Sequence, residues 1–138
     1  GAAIAAIGEA VRVWAAGHVE KSREVTASGP YRFVRHPLYL GSSIIACGFA
    51  VASASSLVAV LAALYLGSTI PAAIGAEEAH LRDKFGDAYD AYADRRSAPV
   101  ARAFSWQRAV RNREHHTMSG LVAAIGVLAV KILWGANG

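Results

Sequence analysis

Leu38 to Ala76 reads LYLGSSIIACGFAVASASSLVAVLAALYLGSTIPAAIGA, thirty-nine residues without a charged side chain. Arg35-His36-Pro37 stands immediately before it and Glu77-Glu78 immediately after. A bilayer core of roughly 30 Å takes about 20 helical residues per crossing, so the run is long enough to cross and return. Ser53-Ala54-Ser55-Ser56 lies near its middle, and serine hydroxyls compete with the helix for nearby backbone groups. The run predicts a helical hairpin that turns at those serines and delivers the basic tripeptide and the acidic pair to one membrane surface.

Two more stretches approach spanning length, Ala2 to about Val19 and Met118 to Trp134. The expected helices cover about 2–19, 37–52, 57–74 and 118–134, with polar segments over 20–36 and 76–116. At 54% hydrophobic and 17% charged residues the chain is more apolar than an ordinary soluble domain. Apart from Arg12 and Lys131, every basic residue falls between Lys21 and Arg35 or between Arg82 and Arg113. Lys and Arg favour the cytoplasmic side of a membrane, which places both polar segments in the cytoplasm. The expected fold is all-α: a polytopic transmembrane helical bundle, one domain over 1–138, with a cytoplasmic amphipathic helix after the hairpin. The chain opens at Gly1 without a basic leader, so its first apolar stretch does not read as a signal peptide, and the reading is of a chain cut at its N-terminal side.

Several function classes drop out. The net charge of +4 belongs to the polar segments, and no aromatic-interleaved basic face marks a nucleic-acid partner. Cys47 is alone in a predicted helix, which leaves neither a disulfide framework nor a paired-cysteine metal site within the chain. His115 and His116 are adjacent and diverge on a helix, and there is no HExxH, P-loop or GxGxxG. No metal and no soluble dinucleotide-binding domain are expected.

Two segments carry chemistry. In Ala27–Gly41, Gly29-Pro30 signals a turn and Pro37 suits the first position of a helix, where its missing N–H is no loss; His36 then stands at the helix mouth. In Glu77–Tyr92, Leu81, Phe85, Ala88, Tyr89 and Tyr92 recur at helical spacing, an apolar stripe able to cover the bundle. Gly86 is a weak point in that helix. Glu78 is placed to pair with Arg82 at i, i+4. In the first helix Glu9 and Arg12 share a face, and charges at membrane depth face the interior, where they line a polar pocket or pair with each other; Gly8 permits a close backbone or ligand approach.

Gly29-Pro30-Tyr31 through Arg35-His36-Pro37-Leu38-Tyr39-Leu40-Gly41, then Glu77-Glu78-Ala79-His80-Leu81, then Phe85-Gly86-Asp87-Ala88-Tyr89-Asp90-Ala91-Tyr92 resemble, in order and spacing, the isoprenylcysteine carboxyl methyltransferase family, a relative of the phospholipid N-methyltransferases. Ile7–Ala15 and Trp106–Glu114 extend the resemblance over nearly the whole chain. The resemblance implies a membrane bundle that binds S-adenosylmethionine in a pocket closed by cytoplasmic segments and admits a lipophilic substrate from the bilayer. It implies that His36, Pro37, Leu38, Tyr39, Glu77 and Glu78 belong to the cofactor pocket, and Gly8 and Tyr31 are expected there with them. Because a carboxylate acceptor is already a nucleophile at neutral pH, carboxyl methylation is the expected reaction, with Arg35 and Glu78 as catalytic residues and Arg35 orienting the acceptor carboxylate. A bacterial inner-membrane enzyme of several passes is expected, its site facing the cytoplasm and its partners a lipophilic or prenylated acceptor and membrane lipids. Ala73 departs from the Arg that eukaryotic members tend to carry before the acidic pair. Three alternatives stand beside this reading: an amine or phospholipid N-methyltransferase; an NADPH-dependent intramembrane reductase, which usually shows Asn where this chain has Leu38; and a non-catalytic membrane protein.

Overall fold

The computed structural model describes residues 1–135, and every regular element among them is helical. The last three positions of the single domain expected over 1–138 lie outside the described residues. The helices are α1 (Ala2–Ala16), α2 (Pro37–Ser53), α3 (Ser56–Phe85), α4 (Asp87–Ala93), α5 (Trp106–Arg111) and α6 (Glu114–Gly135), with a 3-10 turn over Gly29–Arg32 ahead of α2.

The core of the molecule is the antiparallel contact between α1 and α2. Small residues let the two backbones approach closely, the usual device for packing helices inside a membrane. A Cβ on Gly8 would sit 2.7 Å from the Gly41 carbonyl oxygen and 2.7 Å from the Ile45 nitrogen, and one on Gly41 would sit 2.7 Å from the Gly8 carbonyl oxygen. Gly8, marked from the sequence as a pocket residue, is therefore in backbone contact with α2.

The hairpin turns where the serines predict. α2 ends at Ser53, Ala54 takes the left-handed conformation at φ 49°, and the Ser55 hydroxyl caps α3 by accepting the Val58 N–H. Beyond the turn α3 departs from expectation. It does not stop near 74 but continues through Pro71 to Phe85, carrying Glu77 and Glu78 on the same rod. Thirty residues make a helix of about 45 Å, longer than the roughly 30 Å hydrocarbon core of a bilayer. The expected amphipathic helix is thereby divided. Its first half is the end of α3, its second is α4, and Gly86 separates them at φ 51°, a conformation glycine adopts without penalty.

No residue of α3 is buried, and Leu57, Leu61, Leu64 and Tyr65 are each more than half exposed. On α6, Val122, Val127, Leu133 and Trp134 are equally open. Apolar surface on this scale marks a face that meets lipid or another protein. α3 and α6 are the two described helices long and apolar enough to cross a membrane, whereas α1 and α2, at 15 and 17 residues, are shorter.

A buried polar network holds α6 to this core. Arg12 Nε donates to Glu114 Oε1 at 2.8 Å and Nη2 to Oε2 at 3.2 Å, while Nη1 reaches Ser42 Oγ at 2.6 Å and the Leu38 carbonyl at 3.3 Å. The partner of Arg12 is thus Glu114, not the Glu9 three residues away. Both oxygens of Glu9 are buried without a hydrogen bond. α1 ends at Ala16 rather than near Val19 because the returning chain takes its last carbonyls: Asn112 Nδ2 donates to Ala16 and Val19, and Arg108 Nη1 to Gly17 at 2.7 Å. Cations and amides at a helix C-terminus satisfy its orphan carbonyls and favour its dipole.

Candidate functional site

The site forms where the mouth of α2 meets the protruding end of α3. Pro37 starts α2 with a preset φ, and His36 before it makes no side-chain cap bond, which leaves both ring nitrogens for α3. His36 Nε2 donates to Glu78 Oε1 at 2.9 Å, and Nδ1 lies 3.7 Å from Glu77 Oε2. Arg35 Nη1 reaches the same Glu78 oxygen at 3.1 Å, and Arg82 Nη1 lies 3.6 Å from its Oε2. One carboxylate thus faces three cationic side chains, the i, i+4 partner Arg82 among them.

Charge placement sets the protonation states. The Glu77 carboxylate, and Glu78 after it, hold the His36 imidazole above its ordinary value against the effect of burial. His36 in turn holds Glu77 and Glu78 below the ordinary carboxylate value, with Arg35 and Arg82 adding to the effect at Glu78. At neutral pH both glutamates are ionised.

α4 closes the cluster from the other side. The Tyr92 hydroxyl donates to the Tyr31 carbonyl at 2.8 Å, and Arg95 Nη2 donates to the Phe33 carbonyl at 3.2 Å. Arg82 spans Gly86, its guanidinium 5.3 Å from the centre of the Tyr89 ring and its Nε 3.2 Å from Asp90 Oδ1. Burial pushes the Tyr92 phenol up to about 12, so it donates as a neutral group. Tyr89 is buried, and its hydroxyl has no hydrogen-bond partner.

Two clefts flank this cluster. The inner one, about 190 Å³, lies between the Val19–Thr26 loop and the end of α3, with Leu38, Glu77, His80 and Tyr89 in its lining. The outer one, about 550 Å³, lies between the 3-10 turn and the chain after α4, with Arg32, His36 and Arg95 in its lining. Tyr31, Arg35 and Tyr92 border both clefts.

Of the residues singled out from the sequence, Tyr31, Arg35, His36, Leu38, Glu77 and Glu78 come together here. Pro37 is buried at the base of α2, and the Tyr39 ring lies 6.0 Å from that of His36. Glu78 touches His36 and Arg35 without lining either cleft. The Leu38 carbonyl is occupied by Arg12 and by Ser42 Oγ at 3.0 Å, and Gly8 sits in the α1–α2 contact instead. Sequence reading took Tyr89 and Tyr92 as part of an apolar stripe and of the family resemblance and named neither as a site residue; a tyrosine pair beside Arg82 and Asp90 was the available signal.

The chain is thus all-helical among its described residues, with two helices long and apolar enough to cross a membrane and an arginine–histidine–proline mouth that meets a paired glutamate. The chain is a member of the phospholipid methyltransferase family, whose family model matches residues 2–88. Among curated proteins it is similar to the nickel-cobalt-cadmium resistance protein NccN of Alcaligenes xylosoxydans xylosoxydans, 34% identical over 89 residues, which cover 63% of this chain and 41% of that protein. The match thus spans well under half of that relative's length. No solved structure matches the chain.

Proposed function

We propose that this protein transfers a methyl group from S-adenosylmethionine to a lipophilic acid at the cytoplasmic face of a bacterial inner membrane, with an isoprenylcysteine-like carboxylate as acceptor. The observation that carries the reading is the His36–Glu78–Arg35 contact, which joins the two ends of the uncharged run into one polar site beside a cleft. In this reading α1, α2, α3 and α6 all cross the bilayer in one bundle.

The inner cleft suits such a donor in its chemistry. A sulfonium, an amino acid and an adenine need both signs of charge and aromatic faces, and the lining offers Glu20, Glu24 and Glu77 against Lys21 and Arg35, with Tyr31, Tyr89 and Tyr92. The orphaned Tyr89 hydroxyl is a buried donor that a ligand polar atom would satisfy. The cleft, about 190 Å³, is smaller than the roughly 300 Å³ of ordinary small-molecule sites, and the Val19–Thr26 loop forms one of its walls. When bound, the cofactor supplies a methyl group already activated on sulfur; the chain's contribution is alignment, an effect of up to about 7–11 kcal/mol in favourable cases.

The ion pairs favour a carboxylate acceptor. Glu78 is committed to His36, Arg35 and Arg82, and Glu77 faces His36, so neither acid is placed as a free base. A carboxylate needs none at neutral pH, whereas an ammonium acceptor must first lose a proton. Arg35, on the wall common to both clefts, is the residue that orients the acceptor. The family match favours a second reading, N-methylation of an aminophospholipid.

The test supplies radiolabelled S-adenosylmethionine to the purified protein in detergent, with a prenylcysteine analogue or phosphatidylethanolamine. A base-labile methyl ester on the analogue is expected. Label on phosphatidylethanolamine alone moves the acceptor to the amine, and label on neither overturns both readings. S-adenosylhomocysteine, and not NADPH, is expected to raise the melting temperature, and Glu78→Ala to abolish that rise while leaving the bundle folded.

A further inference from the structure

The two clefts differ in charge. The inner lining mixes carboxylates with cations, whereas the outer one has Arg32, Arg35, His36 and Arg95 and no carboxylate at all. Arg35 and His36 are already paired with Glu78. Arg32 makes no ion pair or hydrogen bond among the described residues, and Arg95 spends one Nη2 hydrogen on the Phe33 carbonyl. Two arginines with most of their guanidinium donors unspent therefore line a space of about 550 Å³. An arginine presents five N–H donors in a planar fork that matches the oxygens of a phosphate.

The rest of the lining indicates how the anion arrives. Phe33 is 65% exposed, and Val34 and Leu40 are exposed beside it, all three bordering the cleft. Leu40 lies in the first turn of α2, at the level where the charged loop gives way to the apolar hairpin. A water-soluble anion gains nothing from these side chains, but an amphiphile covers them with its chains while its headgroup meets the arginines. We infer that the outer cleft is a docking site for the phosphodiester headgroup of an anionic bilayer lipid, held by Arg32 and Arg95 with its acyl chains along Phe33, Val34 and Leu40. The cleft shares Arg35 and His36 with the proposed methyl-transfer site, but Arg32 and Arg95 pair with no member of the His36–Glu77–Glu78 cluster, so lipid retention and methyl transfer are read separately.

The experiment is native mass spectrometry of the detergent-purified protein with phosphatidylglycerol, phosphatidylcholine or inorganic phosphate. Phosphatidylglycerol is expected to be retained in preference to phosphatidylcholine, and Arg32→Gln to weaken its retention about fivefold, the usual effect of one basic residue near an anionic headgroup. Arg32→Gln combined with Arg95→Gln should erase the preference. Arg95 also braces the 3-10 turn, so if the double variant unfolds, Arg32→Gln alone decides, since Arg32 has no contact to lose. Equal retention of the two lipids, or an unchanged preference in Arg32→Gln, overturns the inference. Displacement of phosphatidylglycerol by an equal concentration of inorganic phosphate also overturns it, by showing a site for a free anion.

Discussion

Replacing Arg12 with Met keeps much of the side chain's length, removes its charge and strands the groups around it. Glu114, 4% exposed, loses both hydrogen bonds from the guanidinium and is left beside Glu9, whose own oxygens have no partner. Removing one member of a buried ion pair costs about 3–5 kcal/mol, most of it the penalty of the charge left behind. For a chain of this size that is a fall in melting temperature on the order of 10–15 °C. The companion change Glu114→Gln removes the stranded charge, so Arg12→Met with Glu114→Gln should be more stable than Arg12→Met alone, a sign opposite to additivity. Reversible unfolding in mixed micelles, followed by circular dichroism for the two single variants and the double, measures the three free energies. A loss below about 1 kcal/mol for Arg12→Met, or a double variant no better than it, refutes the assignment of this pair as the tether of α6.

Stability should depend on pH in a two-sided way. The raised value of His36 means that its pairing contributes fully below about 6.5 and fades as pH rises through that raised value, while the lowered carboxyls of Glu77 and Glu78 contribute above about 4.5 and fade as pH falls through theirs. Melting temperatures should therefore be highest between these limits, and His36→Gln should flatten the alkaline side; an alkaline decline unchanged in that variant shows that another group causes it. Gly8→Ala places its Cβ against the α2 backbone and should cost about 1–3 kcal/mol, whereas Gly75→Ala on α3, where nothing lies within 4 Å, should stabilise by about 1 kcal/mol. Equal effects in thermal unfolding contradict the helix contact. Ala54→Gly relieves a left-handed residue at the hairpin turn and should add about 0.5–1 kcal/mol after the greater unfolded-state freedom of glycine is subtracted, read as a higher melting temperature; a lower one places the turn elsewhere.

The turn at Ser53–Ser56 and the meeting of His36 with the acidic pair were legible because they rest on local chemistry and on a topology with one solution: a run that leaves and returns brings its two flanks together. The end of α3 was not. Its hydropathy changes at Glu77, but a backbone hydrogen-bond ladder is indifferent to whether side chains are apolar or charged, and the stop comes only at Gly86, where the backbone itself turns. Arg12 and Glu114 are 102 residues apart, and no spacing rule links them, so the nearer Glu9 looked the natural partner. Separations of 91 to 96 residues likewise hide the Asn112 and Arg108 caps that shorten α1. At the site, reading by residue type found the charged members, but which carboxylate oxygen each cation takes, and which tyrosine is left unsatisfied, depends on how the mouth of α2, the end of α3 and α4 meet in three dimensions.

The length of α3 has a mechanical side. Glu78 stands twenty-two positions beyond Ser56, about 33 Å along a rod that starts at a serine turn and has no buried residue along its length. Each 5° of tilt at that turn carries the carboxylate sideways by about 3 Å, the length of its hydrogen bond to His36. Helices tilt to match the thickness of the bilayer around them. In the proposed membrane bundle, a change in bilayer thickness that tilts α3 would therefore shift Glu78 against His36 by about one hydrogen-bond length.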